Sequence, residues 1–321
     1  MSISNPIYYS VAGLELCIDR DLMYAQVDAQ PRCRVGSFSA FQRDCAKKPT
    51  PDMSARLLMM ESSDNAISKS NNIAAKHLHS FEFSDVKAMC HFYSYPTSEG
   101  CNYLLAIESE QGELITEFEF DTQNASAVCR AFRQSSVGIN SPTFSAYVRF
   151  GLWLMLGIAA AKHHIAAVHS STIIYNGQAI MFLGESGTGK STHTRLWREN
   201  IEGATLLNDD SPFIGIVDGK PTIYGSPWSG KTPCYKDESY PLRAIVRLSQ
   251  APHNKISRIK GIVSIGALLP SLPPAFAYDS ALKEEMYEIL NKVLPATELY
   301  HLECLPNAEA ANLVCKTLFE V

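Results

Sequence analysis

The sequence predicts an α/β protein, with a β-rich N-terminal domain ahead of an α/β domain that carries the chemistry. Three observations predict it. The stretch Ile180 to Trp197, IMFLGESGTGKSTHTRLW, reads strand, glycine-rich turn, helix. Strand-like and helix-like runs then follow one another to the C-terminus. Residues 1 to about 138 are instead short β-branched or aromatic runs broken by turn residues.

Within the central stretch, Gly184, Gly189, Lys190 and Ser191 fall at the spacing G-x-x-x-x-G-K-[ST]. Glycines let a backbone wrap a polyphosphate with its N–H groups inward, and the next helix offers its positive end. The residues expected to hold a nucleotide are Gly184, Glu185, Ser186, Gly187, Thr188, Gly189, Lys190, Ser191 and Thr192. Lys190 would neutralise the outer phosphates, and the Ser191 hydroxyl would ligate Mg²⁺, so ATP and Mg²⁺ are the expected cofactors.

Composition narrows the partners. The chain has 321 residues, a length that suits two domains, here placed at 1–138 and 139–321. Its net charge is −5, with no basic block, so nucleic acid is not an expected partner. The nine cysteines (17, 33, 45, 90, 101, 129, 234, 304, 315) are scattered and never form C-x-x-C. That argues for reduced thiols and a cytoplasmic protein rather than disulfides or a zinc site. The N-terminus MSISNPIYYSV lacks a charged lead and apolar core. The most apolar run, Phe150 to Ala161, is shorter than a bilayer requires, so no membrane association is expected.

In chain order, IYYSVAGLELCI, FEF, KAMCHFYSY, NYLLAIES and LITEFEF read as strands, with Glu110-Gln111-Gly112 as a hairpin turn. Glu61 to Asn72 reads as an exposed loop. His77, His79 and His91 lack an acidic or thiol cluster at ligand spacing and read as ordinary histidines. Asn124 to Arg133 is expected as a short helix and residues 135–142 as the linker. Phe144 to His163 then reads as one long helix, buried between the domains or in the subunit interface of a homo-oligomer.

Asn176-Gly177 separates Ser171–Tyr175 from Gln178–Leu183, a strong signal for a two-residue hairpin. Counting out from that turn brings His169 opposite Gly184, at the mouth of the loop. Downstream, LLNDD places Asp209 and Asp210 at a strand end. Carboxylates there hold Mg²⁺ or its waters, or accept a proton from a nucleophile, and adjacent ones point in different directions. A second hairpin at Asp218-Gly219 returns GSPWSGK to the acidic pair, with Pro227 and Trp228 opposite Asp210 and Asp209 and Lys231 as a second phosphate contact. Arg243 and Arg247 bracket the next strand, and nothing in the sequence chooses between them. Strand Lys255–Ile259, helices near 264–269 and 280–294, strand Glu298–Leu302 and helix Ala308–Phe319 with Asn307 as N-cap close the chain.

His169, GESGTGKS and LLNDD together resemble the catalytic domain of HPr kinase/phosphorylase, over roughly residues 165–250. The loop also resembles that of ATP-dependent phosphoenolpyruvate carboxykinase, a related fold. The resemblance implies a P-loop catalytic domain of that HPr kinase/carboxykinase type, with Lys190 on phosphate and Ser191 on the metal. It implies Asp210 as the base that deprotonates a serine hydroxyl, assisted by His169, while Asp209 organises Mg²⁺. The family's segment ending L-E-I-R-G has no counterpart; GSPWSGK occupies that region. The chain looks more like the divergent HPr-kinase-related proteins, some of which accompany peptide-modification systems. The expected activity is therefore a Mg-dependent kinase acting on a hydroxyl, with a protein or peptide serine as acceptor. A carboxykinase-like enzyme on a keto acid and a nucleotide-binding regulator without transfer are the alternatives.

Overall fold

The structure, a computed structural model, describes residues 3, 5–24, 37–47, 50–69, 74–83, 87–98, 100–230 and 232–319. It divides into two compact units, Met1–Ala160 with Ala275–Ser280, and Ala161–Pro274 with Ala281–Val321. Each builds its own sheet, making the chain a mixed α/β protein.

The first unit contains β1 (Pro6–Val11), β2 (Leu14–Asp19), β3 (Gln42–Arg43), β4 (Met53–Met60), β5 (Lys76–Phe83), β6 (Ala88–Thr97), β7 (Gly100–Ser109), β8 (Leu114–Asp121) and β9 (Ser126–Phe132). They form one sheet in the order β3-β1-β2-β4-β9-β8-β7-β6-β5. Strand β9 corrects the helix expected over Asn124–Arg133. It lies parallel to β4 and antiparallel to β8, and Ala127, Cys129 and Ala131 on it are buried. Ladder partners on both sides outweigh the local helix preference of Ala and Arg.

Helix α1 (Pro142–Ala161) packs on this sheet, so the division falls at 160/161 and not at 138/139. Phe150 meets Phe81 and Phe83 at 5.8 and 5.0 Å between ring centres. At Gly151 an added Cβ would stand 2.6 Å from the Phe118 ring, so glycine sets the close approach. The helix is long and apolar enough by composition to cross a membrane, yet 72% of its apolar window is buried. The loop expected to be exposed over Glu61–Asn72 forms two 3₁₀ turns, Ser63–Asn65 and Ile67–Lys69; residues 70–72 lie outside the described ones. The fully buried Glu117 holds it, accepting from the Ile67 and Ser68 amides at 3.0 and 2.8 Å. His77 and His91 bond through Ser80 Oγ, each at 2.7 Å, and His79 stacks on Tyr278.

The second unit contains β10 (Ala166–Ala167), β11 (Ser171–Tyr175), β12 (Gln178–Leu183), helix α2 (Lys190–Asn200), β13 (Thr205–Asn208), β14 (Phe213–Val217), β15 (Lys220–Tyr224), β16 (Ser239–Gln250) and β17 (Lys255–Ile259). Helix α3 (Val263–Leu268), helix α4 (Ser280–Val293), β18 (Glu298–Cys304) and helix α5 (Ala308–Phe319) complete it. Its central order is β13-β11-β12-β16-β18-β17, and β15-β14-β10 join through the start of β16. Both two-residue hairpins form as counted: Tyr175 pairs with Gln178 and Val217 with Lys220. Asn176, Gly177, Asp218 and Gly219 all take positive φ, as this turn type requires. Helices α2 and α5 cover one face, burying Trp197 with Phe182, Val246 and Val314. Asn307 Oδ1 accepts from the Ala310 amide at 3.1 Å and so caps α5.

Candidate functional site

Strand β12 ends at Leu183 and α2 begins at Lys190, so Gly184 to Gly189 form the connecting loop. Gly184 has φ +157, and a Cβ there would stand 2.5 Å from Thr188 Oγ1. Gly187 and Gly189 take φ +82 and +103, conformations that side chains resist. Thr188 turns back, donating from its amide and its hydroxyl to the Glu185 carbonyl. Glu185, Ser186 and Gly187 are exposed, while Thr188, Ser191 and Thr192 are half-buried. The first backbone amides of α2 have no intrahelical acceptor, and they carry the positive end of the helix dipole.

Lys190, only 8% exposed, donates from Nζ to the Gly184 carbonyl at 2.8 Å and the Glu185 carbonyl at 3.2 Å. Its pKa is lowered first by burial, raised by Asp210 and Asp209, and lowered again by Arg247. One ammonium thus responds to two carboxylates that follow β13 and a guanidinium on β16.

His169 extends the β11 line past Ser171, where the paired register ends opposite Phe182. Its amide donates to the Ser271 carbonyl, and the next amide, Ser170, donates to the Asp210 carbonyl at 2.9 Å. This brings His169 Nε2 to 3.9 Å from Asp210 Oδ1, with both side chains about half exposed. Burial and then the Lys190 charge lower the His169 pKa, while Asp210 raises it, so the ring is neutral near pH 7.

The two aspartates differ. Asp209 is 5% exposed, and both its oxygens are engaged, by Ser171 Oγ at 2.8 Å and the Thr232 amide at 3.1 Å. Ser171 Oγ also lies 2.9 Å from Thr194 Oγ1 on α2. Asp209 is thereby linked through Ser171 to Thr194 on α2. Asp210 faces solvent beside His169.

Asn208, which sequence reasoning passed over, holds the corner. Its Oδ1 accepts from the Asp210 and Ser211 amides at 2.9 and 2.8 Å, and its Nδ2 donates to the Trp228 carbonyl at 2.9 Å. The Asn in LLNDD was the available signal. Asn208→Ala strips this partner from the buried Ser211 amide, the part-buried Asp210 amide and the Trp228 carbonyl, and should cost about 2–4 kcal/mol of stability, read by urea denaturation. A loss near zero would refute this role.

The returning segment reaches the acidic pair, but the ladder ends at Phe213–Tyr224, so Trp228 meets Asn208 and it is Gly230 and Thr232 that meet Asp209. Ser226 Oγ donates to the Ser211 carbonyl, and a Cβ at Gly230 would stand 3.0 Å from the Asp209 carbonyl oxygen. Trp228 meets the site through its carbonyl and packs its ring on Phe213. Lys231 lies outside the described residues. Arg243 is committed to Glu298 and the Leu318 carbonyl, whereas Arg247 pairs in register with Leu183 and lies within electrostatic reach of Lys190.

Two clefts adjoin the loop at Gly187 and Thr188. One, about 540 Å³, is lined on α2 by His193 and Leu196, and opposite them by Leu248, Leu305 and Pro306. The other, about 430 Å³, is more polar and contains Arg247, Ser249 and His301. Gln250 borders both, and its Nε2 donates to the Gly187 carbonyl at 3.2 Å.

His193 is 3% exposed, and burial pushes its pKa down to about 4 from its ordinary 6.5. An unfolded chain takes up the proton that the folded one refuses, so stability falls as pH drops below 6.5 toward 4. By about pH 4.5 the loss should reach roughly 2–3 kcal/mol from this group. Denaturation at both pH values, in the parent and His193→Gln, checks it; identical pH dependence in the two would refute it.

Fold and site together define a mixed α/β protein whose strand–loop–helix unit gathers a lysine, a histidine and an acidic pair at the end of one sheet. No protein-family model and no curated protein matches the chain. Among solved structures it is similar to the HPr(Ser) kinase/phosphatase from Coxiella burnetii, at TM-score 0.27 and 10% identity, over 47% of this chain and 92% of that one. The fold class rests on the strand order above, not on that similarity.

Proposed function

We propose that this protein is a nucleoside-triphosphate kinase that uses Mg²⁺ and transfers the γ-phosphate to a hydroxyl, with a serine of a protein or peptide as acceptor. The observation that carries the reading is the convergence of Lys190, His169 and Asp210 at the mouth of the glycine loop. The donor set suits a triphosphate: a loop with positive-φ glycines, free first-turn amides and a buried lysine beside two carboxylates. Ser191 supplies a hydroxyl for Mg²⁺, and Asp209 would act on the ion through its waters, since its own oxygens already accept hydrogen bonds. Bound Mg²⁺ supplies charge neutralisation at the phosphates.

The chain's own residues do the rest. Loop amides and Lys190 position the phosphates, and exposed Asp210 takes the proton from the acceptor hydroxyl. His169, neutral and within reach of Asp210, orients that carboxylate or the hydroxyl. The test is mass spectrometry after incubating the protein with Mg-ATP and serine-containing peptides. Phosphoserine is the expected product; calorimetric ATP binding with no phosphorylated product in any mixture would leave a nucleotide-binding regulator instead.

A further inference from the structure

The larger cleft has one polar reader on an apolar wall. His193 lines it from α2, among Leu196, Leu248, Leu305 and Pro306. Its Nε2 lies 3.2 Å from Trp197 Nε1, one helical turn on. An indole N–H can only donate, so this Nε2 carries no proton. An imidazole without a proton on Nε2 carries its single proton on Nδ1. Phe182 meets the ring edge-on at 4.6 Å and holds its plane. Among the described residues Nδ1 has no hydrogen-bond partner, and it is not among the buried polar atoms left without one. The donor is therefore open to the cleft that the residue lines.

We propose that this cleft holds the base of the nucleotide, and that His193 reads it by donating Nδ1–H to an acceptor on the base edge. The inference rests on the nucleotide reading above. The cleft shares Gly187, Thr188, Gly189 and Thr192 with the loop, so a ligand with phosphates on the loop extends into it. Its apolar walls suit the faces of a heteroaromatic ring, and one fixed donor suits a ring nitrogen or carbonyl. Trp197 is the positioning residue: its N–H selects the tautomer.

Binding of ATP and of inorganic tripolyphosphate to the full chain, measured by calorimetry, separates base from phosphate recognition. His193→Leu should weaken ATP binding by about 5–10-fold, the effect of one lost hydrogen bond. It should leave tripolyphosphate affinity unchanged. His193→Gln, which can accept from Trp197 and still donate, should recover most of the loss. In the parent, ¹⁵N spectra should show the unprotonated ring nitrogen of His193 as Nε2. Equal losses for both ligands, no loss for ATP, or a proton on Nε2 would overturn the assignment. A parent that binds tripolyphosphate as tightly as ATP would remove the base cleft alone. A parent that binds neither removes the phosphate loop reading and the cleft with it.

Discussion

Replacing Lys190 with alanine should weaken ATP binding by about 10²–10³-fold and abolish detectable transfer. The ammonium is buried at the loop, with Nζ within hydrogen-bond distance of Gly184 and Glu185 carbonyls. Those donors are the ones a triphosphate would use, and charge-assisted hydrogen bonds are worth about 1.5–3 kcal/mol each. Two of them account for the expected loss. Lys190→Met, which keeps most of the stem volume, separates charge from packing and should lose as much binding while unfolding at nearly the parent's urea concentration. Unchanged affinity in both variants would remove the loop from the site.

Asp210→Asn should lower transfer by about 10²–10⁴-fold, the usual range for a general base, while ATP affinity stays within a few fold. The carboxylate is half exposed and reaches His169 at 3.9 Å, so it can meet an acceptor arriving from solvent. Asp209→Asn should behave differently. It puts an NH₂ group against either the Ser171 hydroxyl or the Thr232 amide, disturbing the segment that carries the site. The expected result is a raised Mg²⁺ requirement together with lower stability. Single-turnover transfer and nucleotide affinity at several Mg²⁺ concentrations distinguish the two. Interchangeable mutants, or full transfer by Asp210→Asn, would show that the roles are wrongly divided.

Much of this site was legible because its signals are local. A two-residue turn sets register by geometry alone, so Asn176-Gly177 carried His169 to the loop mouth, where it meets Asp210 and the Lys190 charge. Glycine spacing likewise announced the loop, in which Gly187 and Gly189 take positive φ. The β9 segment failed for the opposite reason: its pairing partners come from strands distant in sequence, and they decided its conformation.

Sequence by itself determined the α/β class of the second unit, its two hairpins and the set of residues at the loop, because propensity and turn chemistry act over a few residues. Tertiary structure alone decided that α1 belongs to the first unit and that Arg247 rather than Arg243 lies near Lys190. It also gave the two neighbouring aspartates their environments, Asp209 buried and hydrogen-bonded and Asp210 half exposed. The physical reason is that burial and ion pairing depend on which distant strands and helices pack against a residue, and no local pattern encodes that.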